Sequence, residues 1–498
     1  MQLEMVSGLL LPLGVWLIVS ASTRAQFHRR LSASALLSLA IGFLCYAAFG
    51  FALSQAADGS ALALTTYSGQ RWYIAGTQGF LLQGIQHTAS LNQFIGSLPI
   101  VLSGGLLVAA LLAHHTRVAW QAAVTVLVTG VLLPLAACWL WGGGWIQTLG
   151  NSAGVLGGAV DLGHLSTLGL VVGAASLAWL AKAPRREGAT DDMPDMPVAE
   201  LPIRAVAGVL CVLIASATYA STNNAVVPLM QFVNTSVVVS IAILTAGMYA
   251  IFATRKPDTL SAARAALASV FAASAGGAAL PFWALLACGV VCGLLATMGY
   301  YTVNEKLRWV DDNAIISSVL IPSVLGMLMT GVAAGDTSAI SLLALQLVAL
   351  VTIGGISYGL TTGLVMAAHR TSTPLDVTRD VLVTQATSVP PSSTLEVSAI
   401  DAPAHAAIAQ ALETNISPAD GELVPMDAAK IMAASPNTNL AQPVTRQSKL
   451  LGWLRRKTED AAPQTPRKVA YPYRLGGRRM VSRPLTQSSG DGSEAAES

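Results

Sequence analysis

Over roughly the first 370 residues, apolar runs alternate with short polar loops; beyond His369 the alternation stops. A hydrocarbon core of about 30 Å needs about 20 apolar residues per helix. Eleven stretches meet that length: 4–21, 31–54, 94–114, 118–141, 155–181, 201–220, 225–253, 260–276, 280–303, 313–334 and 339–368. The eighth is the weakest, being short and carrying Arg264 near its start. The pattern predicts an all-α, polytopic membrane protein with eleven transmembrane helices.

The loops between these stretches differ in charge. Arg24, Arg29 and Arg30 follow the first; His114, His115 and Arg117 the third; Lys182, Arg185 and Arg186 the fifth. Arg255 and Lys256 follow the seventh, Lys306 and Arg308 the ninth, and Arg370 the eleventh. The alternate loops hold almost no Lys or Arg beyond Arg71. Positive loops stay in the cytoplasm, so the N-terminus is expected outside and the C-terminus inside. The first run resembles a signal peptide in length, but its charges follow the apolar stretch, which favours a retained span. The expected location is the cell (inner) membrane, with the lipid bilayer as the first partner.

Composition supports the same class. The chain of 498 residues is 53% hydrophobic and only 11% charged, against about a quarter charged in a soluble domain. A net charge of +2 gives no reason to expect a nucleic-acid partner. Cys45, Cys138, Cys211, Cys288 and Cys292 all sit in apolar runs, without a disulfide or zinc pattern. Cys288 and Cys292 share a helix face and read as packing. No nucleophile–base pair, phosphate loop or metal cluster stands out, so no enzyme activity, metal or cofactor is expected.

One segment, from Trp139 to Gly173, is crowded with glycine and carries Asp161 and His164 in what reads as the fifth span. Small residues let membrane helices approach closely, and ionisable groups at that depth are costly enough to face protein or a solute path. Three residues apart on a helix, Asp161 and His164 would share a face and pair. That pair is either a polar site in a pathway or a buried contact between helices. The long loop 55–93 would be external, with Trp72 and Tyr73 suited to an interface. The Pro- and Asp-rich loop 183–200 divides the spans into two groups of five plus one, the arrangement expected of two inverted halves.

Residues 371–498 are dominated by Ser, Thr, Pro, Ala and Asp and read as a largely disordered cytosolic tail, against a membrane domain of 1–370. Ala-rich pieces near 403–413 and 426–434 read as transient helices. Within 448–457, Leu450, Leu451, Trp453 and Leu454 stand beside Lys449, Arg455, Arg456 and Lys457. Such a basic amphipathic segment either lies on an anionic inner leaflet or is simply a solvated charge run.

Three landmarks together resemble the ammonium transporter (Amt/Rh) family. They are Trp139 to Trp145 (WLWGGGW) before a glycine-rich helix, Phe232 to Thr235 (FVNT) opening a helix that ends at Arg255-Lys256-Pro257, and Lys306 to Asp312 (KLRWVDD) before span ten. The resemblance covers roughly residues 5–368 and none of the tail. It implies a homotrimer with one narrow pore per subunit for ammonium or ammonia, aromatic groups at the outer mouth and two facing histidines inside. Such a pore attracts a cation with aromatic faces and carbonyls, penalises charge in a dry tube, and uses imidazole to hold a proton or bond the neutral amine.

Several positions depart from that pattern. Trp141 retains the mouth tryptophan. The outer gate phenylalanine falls near Ile100, the second near Ser216, and the mouth serine near Ala220, beside Ser221. The second pore histidine falls at Leu320. The first falls at Leu162 when Gly157-Gly158 is the anchor, or at His164 after a two-residue slip. Trp141, Asp161, His164 and Ser216 are therefore the candidate pathway residues, with Leu162 and Leu320 as replaced pore positions. The expected function is movement of ammonium, ammonia or a related small solute through a divergent pore. The alternative is a non-conducting sensor or scaffold acting through its tail and a cytosolic regulator.

Overall fold

The computed structural model describes residues 7–23, 27–56, 61–65, 69–85, 87–113, 116, 118–152, 157–183, 201–216, 226–333 and 339–371. All belong to one compact unit, Met1–Leu382. The tail beyond 371, with its basic segment at 448–457, lies outside the described residues, as do His114, His115, Ala220 and Ser221.

In chain order the helices are α1 (Leu10–Ser22), α2 (His28–Ser54), α3 (Thr88–Leu112), α4 (118–140), α5 (Trp145–Ser152), α6 (Leu165–Leu180), α7 (Leu201–Ser216), α8 (Val226–Thr254), α9 (Thr259–Ser274), α10 (Phe282–Lys306), α11 (Ile316–Val332) and α12 (Ala339–Thr371). Among the described residues, six helices are long and apolar enough to cross a membrane, and five shorter apolar ones accompany them. They lie on the apolar runs of the sequence, but the fifth is cut short. Helix α6 starts at Leu165, not near 155.

One element departs from the all-α expectation. In the loop 55–93, β1 (Ala61–Thr65) and β2 (Arg71–Gly76) form an antiparallel hairpin. In β2 Trp72, Tyr73 and Ile74 are all half-buried, with aromatic and branched residues of the kind that suit strands, but they lie in a stretch read only for its polarity. Trp139 donates its indole N–H to the Ile74 carbonyl at 2.7 Å. Trp72 packs on Trp145 with ring centroids 5.7 Å apart.

Two prolines inside long helices are accommodated by wider turns. Proline lacks an amide and crowds the carbonyl four residues earlier. A π-helical stretch at Val126–Leu132 precedes Pro134 in α4, and another at Ile316–Leu320 precedes Pro322 in α11.

Helices from the two sides of the loop 183–200 pack against one another in antiparallel pairs. Helices α1 and α7 cross antiparallel at glycine: a Cβ on Gly14 would meet the Gly208 carbonyl oxygen at 2.8 Å, and one on Gly208 the Gly14 oxygen at 2.9 Å. Helices α6 and α11 are also antiparallel, Gly169 facing Ser323 and Gly173 facing Leu320. Each is preceded by a buried aspartate and, three residues on, a left-handed residue: Asp161 with His164 (φ 60°), Asp311 with Ala314 (φ 58°). The start of α6 is pinned to the end of α9, where Leu162 N–H donates to the Ala275 carbonyl and Gly163 N–H to the Ser274 carbonyl, each at 2.9 Å. The start of α11 is held on the end of α3, Asn313 Nδ2 donating to the Ala110 carbonyl at 2.7 Å. Each half thus seats the broken helix of the other.

Candidate functional site

Helix α6 is the centre of the bundle. Every residue in it except Leu177 is buried. It packs on α12, α11, α3 and α9, so whatever fixes its first turn fixes the middle of the molecule.

Asp161 does that work. Its side chain is 6% exposed. Oδ2 accepts the Thr167 amide and the Thr167 hydroxyl, both at 2.7 Å, and Oδ1 accepts the Ser274 hydroxyl at 3.2 Å. A carboxylate at a helix N-terminus meets unsatisfied amides and the positive end of the dipole. Ser274 also accepts the Leu165 amide at 2.8 Å and the Ser166 amide at 3.3 Å. The helix-face pairing expected of Asp161 and His164 is not formed, because both precede α6 and the carboxylate is turned inward to the helix amides.

His164 instead reaches Trp141. The two rings are stacked, with centroids 4.0 Å apart and planes 15° from parallel. Both residues are half-buried. Trp141 sits where α4 ends, in a turn held by the Trp141 and Gly142 amides on the Ala137 carbonyl, by Gly144 on Cys138, and by Ala56 on Gly142. Gly143 takes a positive φ of 86° there, which glycine adopts without Cβ strain. Behind the turn, Trp139 and Trp145 meet at 6.2 Å.

The remaining candidates are placed apart. Leu162 lies in the turn before α6, and Leu320 packs on Gly173, deep inside that helix. Eight residues of helix separate Gly173 from Leu165, about 12 Å of rise, so the two leucines do not oppose one another. Ser216 ends α7, buried, its hydroxyl donating to the Leu213 carbonyl of its own helix at 2.7 Å. Ile100 is buried in α3. Nothing among the described contacts joins Ser216 to Trp141.

Between α6 and α11 the seam is closed by contact. A Cβ on Gly169 would collide with Ser323 Oγ and the Phe271 ring, and one on Gly173 with Leu320. On the α11 side Ser323 stands against Gly169, whereas Ser317 lies against Gly299 of α10; Ser318 is also buried, and its Oγ has no hydrogen-bond partner. At the start of α11, Asp311 accepts the Ile315 and Ile316 amides at 2.9 and 2.8 Å. Burial pushes this carboxyl up to about 6, while those amides and the Arg264 guanidinium pull the other way. Arg264 is buried, lies 3.9 Å from the Tyr300 ring centroid, and donates to the Asp312 carbonyl at 2.9 Å. An apolar groove of about 560 Å³ belongs instead to α8 and α10, with Phe232 and Phe282 among its lining.

Sequence reasoning missed Ser274, Thr167 and the glycine seam. Ser274 acts on a segment over a hundred positions away, and no local pattern marks it. Thr167 carries a weak signal, since a carboxylate before a helix with a hydroxyl in its first turn is a capping arrangement. Among the described residues no cluster of His, Cys, Asp or Glu is arranged to hold a metal ion.

Residues 2–381 match the sequence model of the Ammonium Transporter Family. The ammonium transporter Amt2 of Archaeoglobus fulgidus is 24% identical over 310 residues, covering 60% of this chain and 63% of that protein. The chain thus spans less than two thirds of that relative's length. Among solved structures, a sensor Amt protein superposes with a TM-score of 0.63 at 16% identity, over 76% of this chain and 95% of that one. Mep2 of Candida albicans superposes with a TM-score of 0.57 at 17% identity, covering 74% and 85%. Mep2 of Saccharomyces cerevisiae gives 0.58 at 15%, covering 74% and 87%. At such identities these structures speak for the fold.

Proposed function

Because this chain belongs to the ammonium transporter family, we propose that it moves ammonium, ammonia or a related small solute across the membrane, entering beside Trp141 and following the seam between α6 and α11. The observation that carries the reading is the outer mouth. An indole face at the end of α4 stands over a helix start organised by Asp161 and Ser274. A cation is attracted by an indole face within about 6 Å of its centroid. Beyond it, the buried hydroxyl of Ser323 at the α6–α11 seam offers a polar group that can bond a neutral amine without an imidazole pair.

In this reading the helices span the cell membrane with the N-terminus outside and the C-terminus inside. Three copies assemble, as the family resemblance implies, each with its own path. Residues 1–370 form the membrane domain and 371–498 a cytosolic tail. The test is methylammonium uptake into proteoliposomes. Uptake is expected to exceed that of empty vesicles and to fall about tenfold, the scale of one desolvated cation–π contact, in Trp141→Leu. Uptake equal to that of empty vesicles would remove the transport reading.

A second reading is favoured by a specific observation. The seam is closed where Gly169 meets Ser323 and Gly173 meets Leu320, and a solved structural neighbour is titled a sensor. In that case the bundle registers ammonium at its mouth and signals through the tail to a cytosolic regulator. A protein that co-purifies with the full chain but not with one truncated after Thr371 would speak for it.

A further inference from the structure

We propose that the imidazole of His164 is the resting occupant of one face of Trp141, so that a cation reaches that face only by displacing it. The inference rests on the mouth described above, but it concerns occupancy of the ring and does not require that the solute cross.

The two halves of the fold supply the argument. Both broken helices begin with a left-handed residue, His164 before α6 and Ala314 before α11. A non-glycine residue in that region carries strain that persists only where its surroundings over-determine it. At the α11 end a methyl group suffices, and Ala314 is fully buried. The backbone geometry therefore does not call for an imidazole. What the larger side chain adds at position 164 is the contact with Trp141.

The surroundings fix the backbone that carries the ring. The amides of Leu162 and Gly163 are bound by the carbonyls of Ala275 and Ser274. Gly163 leaves no room for a side chain, since a Cβ there would stand 2.7 Å from Ser274 Oγ. The Asp161 side chain is engaged by Thr167, Ser274 and the His164 main chain, so the acid holds the backbone at position 164 and not the imidazole. At 4.0 Å and 15° the ring lies where a bound cation would sit, since such a cation also rests over the indole face. The two cannot be there together. Both residues keep partial exposure.

The experiment uses the full chain in nanodiscs and follows tryptophan fluorescence during titration with ammonium chloride. His164→Gly removes the ring and also suits the left-handed backbone. His164→Asn, which tolerates the same region, guards against any loosening caused by glycine. Both variants are expected to bind ammonium about tenfold more tightly than the unmodified protein, a factor on the scale of one desolvated cation–π contact. The signal should vanish when Trp141→Leu is added, and free imidazole should compete with ammonium in His164→Gly. Equal affinity in all forms, weaker binding in both variants, or a signal that survives Trp141→Leu would overturn the proposal. Tight, Trp141-dependent binding in the variants without uptake in any form would leave the proposal standing while removing the transport reading.

Discussion

Asp161→Ala is expected to lower the stability of the bundle by about 4 kcal/mol, read as loss of folded protein in a detergent denaturation series. Hydrogen bonds to a charged group contribute about 1.5–3 kcal/mol, and buried donors left without a partner cost a further 1–3 kcal/mol. Here the orphans are the Thr167 amide and hydroxyl, fully enclosed at the first turn of α6. Asp161→Asn keeps one acceptor oxygen and should lose about half as much. The alanine variant should also release the segment that carries His164, so that its stack on Trp141 is lost even in the protein that remains folded. An unchanged denaturation midpoint for Asp161→Ala would mean that the first turn of α6 is held by Ser274 alone.

Gly326→Ala is expected to cost about 3 kcal/mol, near the upper end for overpacking a close contact. A Cβ at this position of α11 would collide with the carbonyl oxygen and main chain of Ala272 in α9. Backbone cannot rotate away as a side-chain tip can, so the two helices must separate. Next to this crossing, a Cβ on Gly276 would meet the Thr330 side chain at 2.5 Å, and Gln231 and Asn234 of α8 bond the carbonyls of Ala273 and Gly277 at 3.1 and 2.6 Å. The strain therefore falls on the turn whose Ser274 and Ala275 hold the start of α6. Gly355→Ala in α12 is the control. Nothing lies within 4 Å of its Cβ, and alanine is the better helix former by about 1 kcal/mol. If both substitutions behave alike, glycine at the α9–α11 crossing is not there for close approach.

The apolar runs placed the helices because lipid leaves a spanning chain few other ways to satisfy its backbone. They misjudged the fifth. Residues 157–164 are rich in glycine, as a helix in lipid would be, yet the amides of Leu162 and Gly163 bond the carbonyls of Ala275 and Ser274, and the Val160 carbonyl accepts from Gln346. A pattern of hydrophobicity cannot tell an apolar helix from an apolar segment whose amides are bonded to a distant partner. Reading Asp161 and His164 as neighbours on a helix face followed from that misjudged boundary. The hairpin of β1 and β2 was missed for a related reason: its strands are held by each other and by Trp139, not by any strong period of their own.

By itself, the order of residues determined the class of this protein: where apolar helices run, which loops carry the positive charge, and which family the landmarks at Trp139, Phe232 and Lys306 resemble. Those properties depend on local composition and spacing, which a linear pattern carries. Only the tertiary structure decided that Asp161 caps α6, that His164 lies on Trp141, and that Gly169 and Gly173 close on Ser323 and Leu320. Each of these joins groups from helices far apart in the chain. Their partners are chosen by how the helices on either side of the loop 183–200 interlock, and no single stretch of sequence contains both sides of such a contact.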